Sequence, residues 1–178
     1  MPHLKVVEVE ETAGKAKEIL ESFRSNMGRV PNVLKGMANS PIALQAAVTL
    51  DRLIGEGTLT GVEQVVVKLT VAQYYDCAYC LALYTVIGAD RGLSAAQMLS
   101  VRRGKPDDDK HMALVKFARR MLETHGQVKE GDIARLRARG YTDEHIAEIV
   151  TIMGAMTLGS YFNKMNDTEL DFPKAPEL

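Results

Sequence analysis

The sequence is poor in aromatic residues and cysteine, and it has no long hydrophobic run. Tryptophan is absent, aromatic residues make up 6% of the chain, and there are only two Cys. Lys68 and Gln73 interrupt the most apolar stretch, so no segment reaches the roughly 18 residues that a membrane-spanning helix needs. The N-terminal residues lack the apolar region of a signal peptide. We therefore expect a cytoplasmic protein rather than a membrane protein or a secreted, disulfide-rich one.

An excess of charge of either sign is also absent. The chain has 22 Lys and Arg against 23 Asp and Glu, a formal net charge of -1. This balance creates no field that would attract nucleic acid or an anionic lipid surface, so we expect neither as a partner. Hydrophobic residues at 46% and charged residues at 25% are ordinary for a globular protein. A chain of 178 residues without a long linker predicts a single domain, residues 1–178.

The sequence does contain frequent helix punctuation. Residues that start helices recur along the chain: Ser40 before Pro41, Thr60 with Glu63, Ser94 with Gln97, and Thr142. Glycines follow several of the periodic apolar segments and would end them. The segment from Val65 to Tyr75 is rich in β-branched residues and could form a strand, but its length and its capping box favour a buried helix. We predict an all-α helical bundle of about eight helices.

The two cysteines stand three positions apart in the motif Cys77-Ala78-Tyr79-Cys80. Asp76 is the predicted N-cap of the helix that follows, which places both cysteines in its first turn. Unpaired amides and the positive end of the helix dipole favour a thiolate at that place. Two thiols within one turn also close a disulfide once one of them has been oxidised. The motif therefore indicates thiol redox chemistry.

Two other interpretations of the cysteines stand beside this one. Structural zinc usually needs four ligands, and there is no second Cys pair. The four histidines, His3, His111, His125 and His145, are widely separated along the chain. We therefore predict no metal site. The cysteines could also be two inert core residues, because Cys often behaves as a small hydrophobe.

The residues around the motif resemble the alkylhydroperoxidase AhpD-like, carboxymuconolactone decarboxylase superfamily. The signature of that superfamily is a helix of small apolar residues followed by C-x-x-C-x-x-x-H, and Val65 to Tyr84 follows this layout. Flanking segments add to the likeness: Val30-Pro31-Asn32, Tyr161-Phe162-Asn163-Lys164 and Asn166-Asp167-Thr168. The resemblance covers residues from about 30 to 171.

This resemblance implies an all-α fold, assembly into homo-oligomers and thiol-dependent peroxidase or disulfide-reductase activity. The implied partners are a peroxide or disulfide substrate and a thiol electron donor, with no cofactor. The resemblance also implies that Cys80 attacks the peroxide and that Cys77, the more exposed cysteine, resolves the product. Homo-oligomers are expected on a second ground, since the segments Val62 to Tyr75 and Ile146 to Tyr161 are very apolar for one small domain to hide.

The chain departs from the superfamily pattern at two positions of the proton relay. Val65 stands where the pattern has a Glu, and Tyr84 stands where it has a His. Val65 cannot titrate, whereas Tyr84 donates a hydrogen bond but is a weak base at neutral pH. Tyr84 is one turn beyond Cys80 on the same helix face, where it either reaches the thiol or only packs there. Glu63 could replace the lost Glu, but it points to another face and belongs to a capping box.

The predicted catalytic residues are thus Cys77, Cys80 and Tyr84, in a peroxidase or disulfide oxidoreductase with an altered proton relay. One alternative is a non-catalytic helical oligomer that senses redox state or binds a small apolar ligand. A further alternative is a lactone decarboxylase-like enzyme, since that branch of the superfamily does not depend on a Cys pair. Loss of both relay groups keeps the first alternative open, and retention of both cysteines argues against it.

Overall fold

The computed structural model describes all residues from Met1 to Leu178 and contains nine α-helices and no strand. The helices are α1 (Gly14–Met27), α2 (Asn32–Met37), α3 (Pro41–Gly55), α4 (Gly61–Tyr74), α5 (Ala78–Asp90), α6 (Ala95–Arg102), α7 (Asp109–Glu123), α8 (Glu130–Arg137) and α9 (Asp143–Asn166). The predicted all-α class is confirmed. The prediction of about eight helices omitted the short α2, whose N-cap position is Pro31 and carries no side-chain cap. None of the helices is both long and apolar enough to cross a bilayer.

The predicted helix starts are present as hydrogen bonds. Ser40 Oγ accepts from the Ala43 amide at 3.3 Å at the start of α3. Complete capping boxes open α4, α6 and α9 at Thr60, Ser94 and Thr142. Each such box satisfies amides that the first helical turn leaves free. Caps, rather than intrinsic helix propensity, therefore fix where these helices begin.

The two segments that we expected to be too apolar for one domain to hide, Val62 to Tyr75 and Ile146 to Tyr161, differ in the structure. Helix α4 is enclosed by its own chain: nine of its 14 residues are buried, and it packs against α5, α6, α7 and α9. Helix α9 instead leaves large apolar side chains on the surface. Val150, Leu158, Tyr161 and Met165 are 44–60% exposed and fall on one side of the helix by their spacing. We call these four residues the α9 stripe.

Two hydrophobic cores make up the interior. The larger core is built on α4, α5, α7 and α9, and the smaller one on the N-terminal segment and α1 to α3. Val33 packs against both cores, and Phe162 of α9 packs against the smaller one. The N-terminal helices therefore lie as a separate layer against the face of α5 and α9.

One carboxylate joins this layer to the cysteine motif and to the C-terminal tail. Asp171 accepts hydrogen bonds from the Tyr79 hydroxyl at 2.7 Å, the Arg29 guanidinium at 2.5 Å and the Asn32 amide at 2.9 Å. The Arg29 guanidinium also lies over the Phe172 ring, 4.3 Å from its centroid. We refer to Asp171, Tyr79, Arg29 and Asn32 as the Asp171 clasp. Because three sequence-distant segments meet on one side chain, the clasp holds the tail over the start of α5.

Replacing Asp171 should measure how much the clasp contributes to stability. Asp171→Asn keeps the shape and an acceptor oxygen but loses the charge that faces Arg29. Since Arg29 remains 39% exposed, we expect the free energy of unfolding to fall by about 1–3 kcal/mol, between the values for exposed and buried ion pairs. Tyr79→Phe removes one hydrogen bond and should cost about 1 kcal/mol. Urea unfolding followed by circular dichroism gives both values.

The matched control is Asp167→Asn, because the Asp167 side chain is 69% exposed and pairs only with the chain N-terminus, at 3.5 Å. It should unfold at the same urea concentration as the wild type. Equal midpoints for Asp171→Asn and Asp167→Asn would show that the clasp does not stabilise the fold.

Candidate active site

The two cysteines occupy the first turn of α5 and are joined to each other by a disulfide bond. Cys77 is the N-cap residue, and its sulfur accepts a hydrogen bond from the Cys80 amide at 3.2 Å. Asp76, which we predicted to be the N-cap, instead has a left-handed backbone with φ of 50°. That conformation turns the chain out of α4 and leaves the capping position to Cys77. Both sulfurs therefore lie at the positive end of a helix dipole, as expected.

Neither cysteine is open to solvent. Cys77 is 1% exposed and Cys80 is 3% exposed, so the expectation that Cys77 is the more exposed of the two is not met. The reason is the Asp171 clasp, which holds the neighbouring Tyr79 and the C-terminal tail against the same turn. Both sulfurs belong to the larger hydrophobic core.

The polar neighbours of the Cys80 sulfur come from α9. Ser160 Oγ and Asn163 Nδ2 each lie 3.6 Å from Cys80 Sγ. An amide N–H directed at sulfur stabilises a negative charge there, since a thiolate is the better acceptor. The other amide atom, Asn163 Oδ1, is buried and has no hydrogen-bond partner. A buried unpaired acceptor costs stability unless something satisfies it.

Sequence reasoning gave no role to Ser160 and Asn163. The available signal was that two polar residues, three positions apart, interrupt a helix whose inward positions Ile149, Ile152 and Met156 are apolar. Spacing of three residues places both side chains on one face. The sequence could not tell that this face lies against α5.

A cavity of about 230 Å³ opens beside Cys80 between the two cores. Its walls come from α1, α2, α3, α5 and α9 with a single residue of α4, and most of them are apolar, including Phe23, Met27, Met37, Val48, Leu83 and Met156. Cys80 and Asn163 both line it, whereas Cys77 does not. A cavity of about 150 Å³ is enough to hold benzene. The space next to the Cys80 sulfur therefore suits a small apolar molecule.

Charged residues reach this cavity at one place. Lys68 lines it from the buried helix α4, and its Nζ lies 2.9 Å from Asp51 Oδ1 on α3. The Lys68 side chain is 10% exposed, whereas the Asp51 side chain is 65% exposed. Lys68 Nζ also lies over the Tyr84 ring, 5.2 Å from its centroid, which is within the range of a cation–π interaction. In the sequence, Lys68 is recognisable only as a charged residue that interrupts an apolar run.

Tyr84 lines the cavity with Cys80 but is not among the polar neighbours of the sulfur. Burial raises the pKa of Tyr84, and the negative charge of Asp51 raises it further. The hydroxyl therefore stays protonated at any physiological pH and serves only as a hydrogen-bond donor. The sequence left open whether Tyr84 reaches the thiol or only packs beside it, and in this disulfide-bonded state it makes no hydrogen bond to Cys80 Sγ.

The two candidate positions for a relay carboxylate both lie away from the cavity. Val65 is 2% exposed and faces Gly88, where an added Cβ would come within 3.2 Å of Val65 Cγ1. Gly88 is two turns beyond Cys80, or about 12 Å along α5. Glu63 completes the α4 capping box and accepts a hydrogen bond from Tyr141 at 2.8 Å. Burial tends to raise the pKa of Glu63, but hydrogen bonds from Thr60 and Tyr141 outweigh it and the pKa is lowered.

The histidines have local structural roles. His145 completes the capping box of α9 with Thr142, the His111 amide donates to the α7 cap Asp108, and His3 is bonded to the Met165 carbonyl. No group of three or more His, Cys, Asp or Glu side chains is arranged to hold a metal ion. None of these residues lines the cavity.

Solved structures of the same architecture are known. No protein-family model matches the chain, and no curated protein matches its sequence. A peroxidase-related protein from Ralstonia eutropha JMP134, described as an alkylhydroperoxidase AhpD core, superimposes with a TM-score of 0.89 at 20% identity, over 96% of this chain and 92% of that one. A peroxidase-related protein from Silicibacter sp. TM1040 gives a TM-score of 0.80 at 20% identity, over 95% and 94% of the two chains.

A third structure with this fold is that of a debrominase. A Cys-to-Ala variant of the debrominase Bmp8, in complex with 2,3,4-tribromopyrrole, has a TM-score of 0.78 at 15% identity, over 95% of this chain and 91% of that one. At such low identities the likeness concerns the fold. This chain has the AhpD-like helical fold, so the resemblance predicted from the sequence is confirmed at the level of architecture.

We predict that the Cys77–Cys80 disulfide opens and closes reversibly. In fully reduced protein, mild peroxide treatment should cause the loss of two hydrogens by mass spectrometry, because the sulfurs share one turn and lie at a helix N-terminus. Dithiothreitol should restore the original mass. Cys80→Ser and Cys77→Ser should each prevent this loss. Stoichiometric zinc in the purified protein, or two thiols that survive peroxide unchanged, would contradict the prediction.

Proposed function

We propose that this protein is a thiol-dependent oxidoreductase that reduces a peroxide or a disulfide with the Cys77–Cys80 couple. The observation that carries the proposal is the position of Cys80, whose sulfur lies at a helix N-terminus, within bonding distance of a second sulfur and on the wall of a cavity. A peroxidase-related function of fold neighbours agrees with it. An inert core cysteine would not need a cavity beside it.

The reaction with a hydroperoxide proceeds in two displacements. The Cys80 thiolate attacks the hydroxyl oxygen of the hydroperoxide, so an S–O bond forms, the O–O bond breaks, and the departing alkoxide takes a proton to become an alcohol. The Cys77 thiol then attacks the sulfur of the resulting sulfenic acid, which forms the disulfide and releases water. An external dithiol returns both electrons by thiol–disulfide exchange. A disulfide substrate would be reduced by the same exchange run in the opposite direction.

Asn163 and Tyr84 are the residues we assign to support this chemistry. The Asn163 N–H aimed at Cys80 Sγ favours the thiolate over the thiol. Tyr84 lies on the same cavity wall and donates a hydrogen bond to the departing oxygen. No base matched to neutral pH lines the cavity, so we expect catalysis to be slow compared with an enzyme that has one.

A second candidate function is supported by the cavity itself. An apolar pocket of this size suits a protein that binds a small apolar molecule without transforming it. The debrominase Bmp8, which shares the fold, was crystallised with a small halogenated ring. The two functions differ in one readout, since only an oxidoreductase turns over peroxide or disulfide in the presence of excess reductant.

Trapping of the sulfenic acid tests which sulfur attacks. In Cys77→Ser the product of the first step has no resolving thiol, so peroxide should leave a sulfenic acid on Cys80 that dimedone labels. Cys80→Ser should give no adduct. The two variants form a matched pair, because each replaces one buried cysteine of the same turn with serine. A general effect of the substitution on folding would therefore appear in both. A dimedone adduct on Cys77 in the Cys80→Ser variant would reverse the roles, and no adduct in either variant would refute the peroxidase proposal.

The altered relay can be tested at Tyr84. Tyr84→His should raise the second-order rate constant for peroxide reduction, because an imidazole with a pKa near 6.5 acts as a base at neutral pH. A matched acid–base group contributes about 10² to 10⁴ in rate, and we expect only part of that factor without a partner carboxylate. The gain should grow as the pH rises through about 6.5, where the imidazole loses its proton. Stopped-flow measurement across this range gives the profile.

Tyr84→Phe is the control, since it keeps the ring and removes the donor. Tyr84→Phe should reduce peroxide more slowly than the wild type does, because it lacks one hydrogen bond to the departing oxygen. Equal rates for the wild type, Tyr84→Phe and Tyr84→His would mean that the position takes no part in proton transfer.

We further propose that the protein is a homo-oligomer that buries the α9 stripe against a second copy. Four large apolar side chains on one face of a helix form a patch of the kind found at interfaces. The Tyr161 ring within it is held edge-on to Tyr75, with centroids 5.2 Å apart. An ordered aromatic side chain of this type is typical of the centre of an interface.

Light scattering at tens of micromolar should therefore give a mass of at least a dimer. Leu158→Glu should convert the protein to a monomer, because a carboxylate in the middle of the stripe would be desolvated without a partner. Ile42→Glu is the matched control, since Ile42 is a 76% exposed apolar residue on α3 that is not part of the stripe, and this change should leave the mass unaltered. A monomeric wild type would contradict the proposal.

A further inference from the structure

Lys68 is unusual in its position. It is the one charged side chain among the nine buried residues of α4, and its neighbours along the helix are Val67 and Leu69, both fully buried. Burying an ammonium group is unfavourable unless a partner of opposite charge compensates for it. A methionine or leucine would fill the same space without that cost. The presence of Lys68 therefore needs an explanation beyond packing.

The partner of Lys68 does not supply that explanation. Asp51 lies at the cavity mouth with 65% of its side chain exposed, so water competes for its carboxylate. An ion pair with one well-hydrated member contributes little to stability. The Asp51 side chain can also turn into solvent without breaking another hydrogen bond, because its only side-chain partner is Lys68.

The rest of the cavity is built for an apolar molecule with two polar points. Cys80 and Asn163 supply one pair of polar groups to its lining, Lys68 and Asp51 supply another, and most of the other lining residues are apolar. Lys68 offers an ammonium group to whatever displaces Asp51. A carboxylate is the simplest group that replaces the lost ion pair with another of the same kind.

We propose that the cavity binds small apolar molecules that carry one anionic group, with the apolar part against Cys80 and the anion on Lys68 in place of Asp51. As an assignment of substrate class this rests on the proposed function, which would make the preferred substrates organic hydroperoxides bearing a carboxylate. As an assignment of a binding site it stands independently of any reaction. The Asp51 carboxylate then occupies the anion site on Lys68 when no ligand is bound.

Binding of non-reactive probes tests the site without requiring turnover. Octanoate and octanol have the same chain length and differ in charge, and isothermal titration calorimetry compares them on one protein. We expect octanoate to bind about tenfold more tightly or better, as a charge-assisted hydrogen bond in a poorly solvated site would give. Each probe should also slow alkylation of Cys80 by iodoacetamide in the reduced protein, which locates it in the cavity.

Three substitutions separate an anion site from a structural ion pair. Lys68→Met should abolish the preference for octanoate while octanol still binds, and Lys68→Arg should retain it. Asp51→Asn should tighten octanoate binding several-fold, since it removes the competing carboxylate. Lys116→Met, which removes a charge from an exposed position on α7 outside the cavity, is the control and should change nothing.

Equal affinities of octanoate and octanol for the wild type would overturn the inference. This comparison needs no variant, so it remains decisive if Lys68→Met does not fold. Weaker octanoate binding in Asp51→Asn would overturn it as well, because it would show that the pair supports the site rather than blocks it. If the probes behave as expected but the protein reduces no peroxide or disulfide, the binding site stands and the proposed function falls. If peroxide is reduced with no preference for carboxylates, the function stands and the inference falls.

Discussion

The burial of α4 is the constraint on which the rest of the structure depends. Its apolar residues are covered on all sides by α5, α6, α7 and α9, and each fully buried Val or Leu contributes about 1.5–3 kcal/mol. Because α4 runs directly into the cysteine turn, its position fixes where α5 begins. Lys68, which carries the only ammonium group of α4, consequently lies at the edge of the larger core, next to the cavity between that core and the N-terminal layer. The placement of both Cys80 and Lys68 follows from the packing of a single helix.

The architecture could be predicted from the sequence to the extent that it depends on local rules. Capping boxes at Thr60, Ser94 and Thr142 are fixed by residues three positions apart, and each is formed. The cap at Asp76 was predicted wrongly because a left-handed turn competes with capping for Asp, and the Cys77 sulfur takes its place. Helix α2 was missed because Pro31 and Asn32 favour both turns and helix starts. Both errors arise at chain turns, where several backbone conformations have similar energies.

Of the candidate site, the sequence could indicate only the residues of one segment, Cys77, Cys80 and Tyr84. The Cys-x-x-Cys spacing is local, so the disulfide and its helix terminus followed from it. Ser160 and Asn163 lie at least 80 positions from Cys80 along the chain, and nothing in their own neighbourhood says which helix they face. Lys68 and Asp51 come together for the same reason. A cavity between two cores is a property of how layers meet, so no periodicity within one helix can reveal it.

The enclosure of the disulfide also governs how electrons return to it. A thiolate must approach one sulfur along the line of the S–S bond, yet the two cysteines are 1% and 3% exposed. The active centre of another protein cannot make that approach while both sulfurs are buried in this way. Only a reductant slender enough to enter the cavity reaches the Cys80 side directly. In the oxidoreductase proposed above, a protein-sized donor would reach the disulfide only after this turn had opened, so reduction of the couple would be slower than its oxidation.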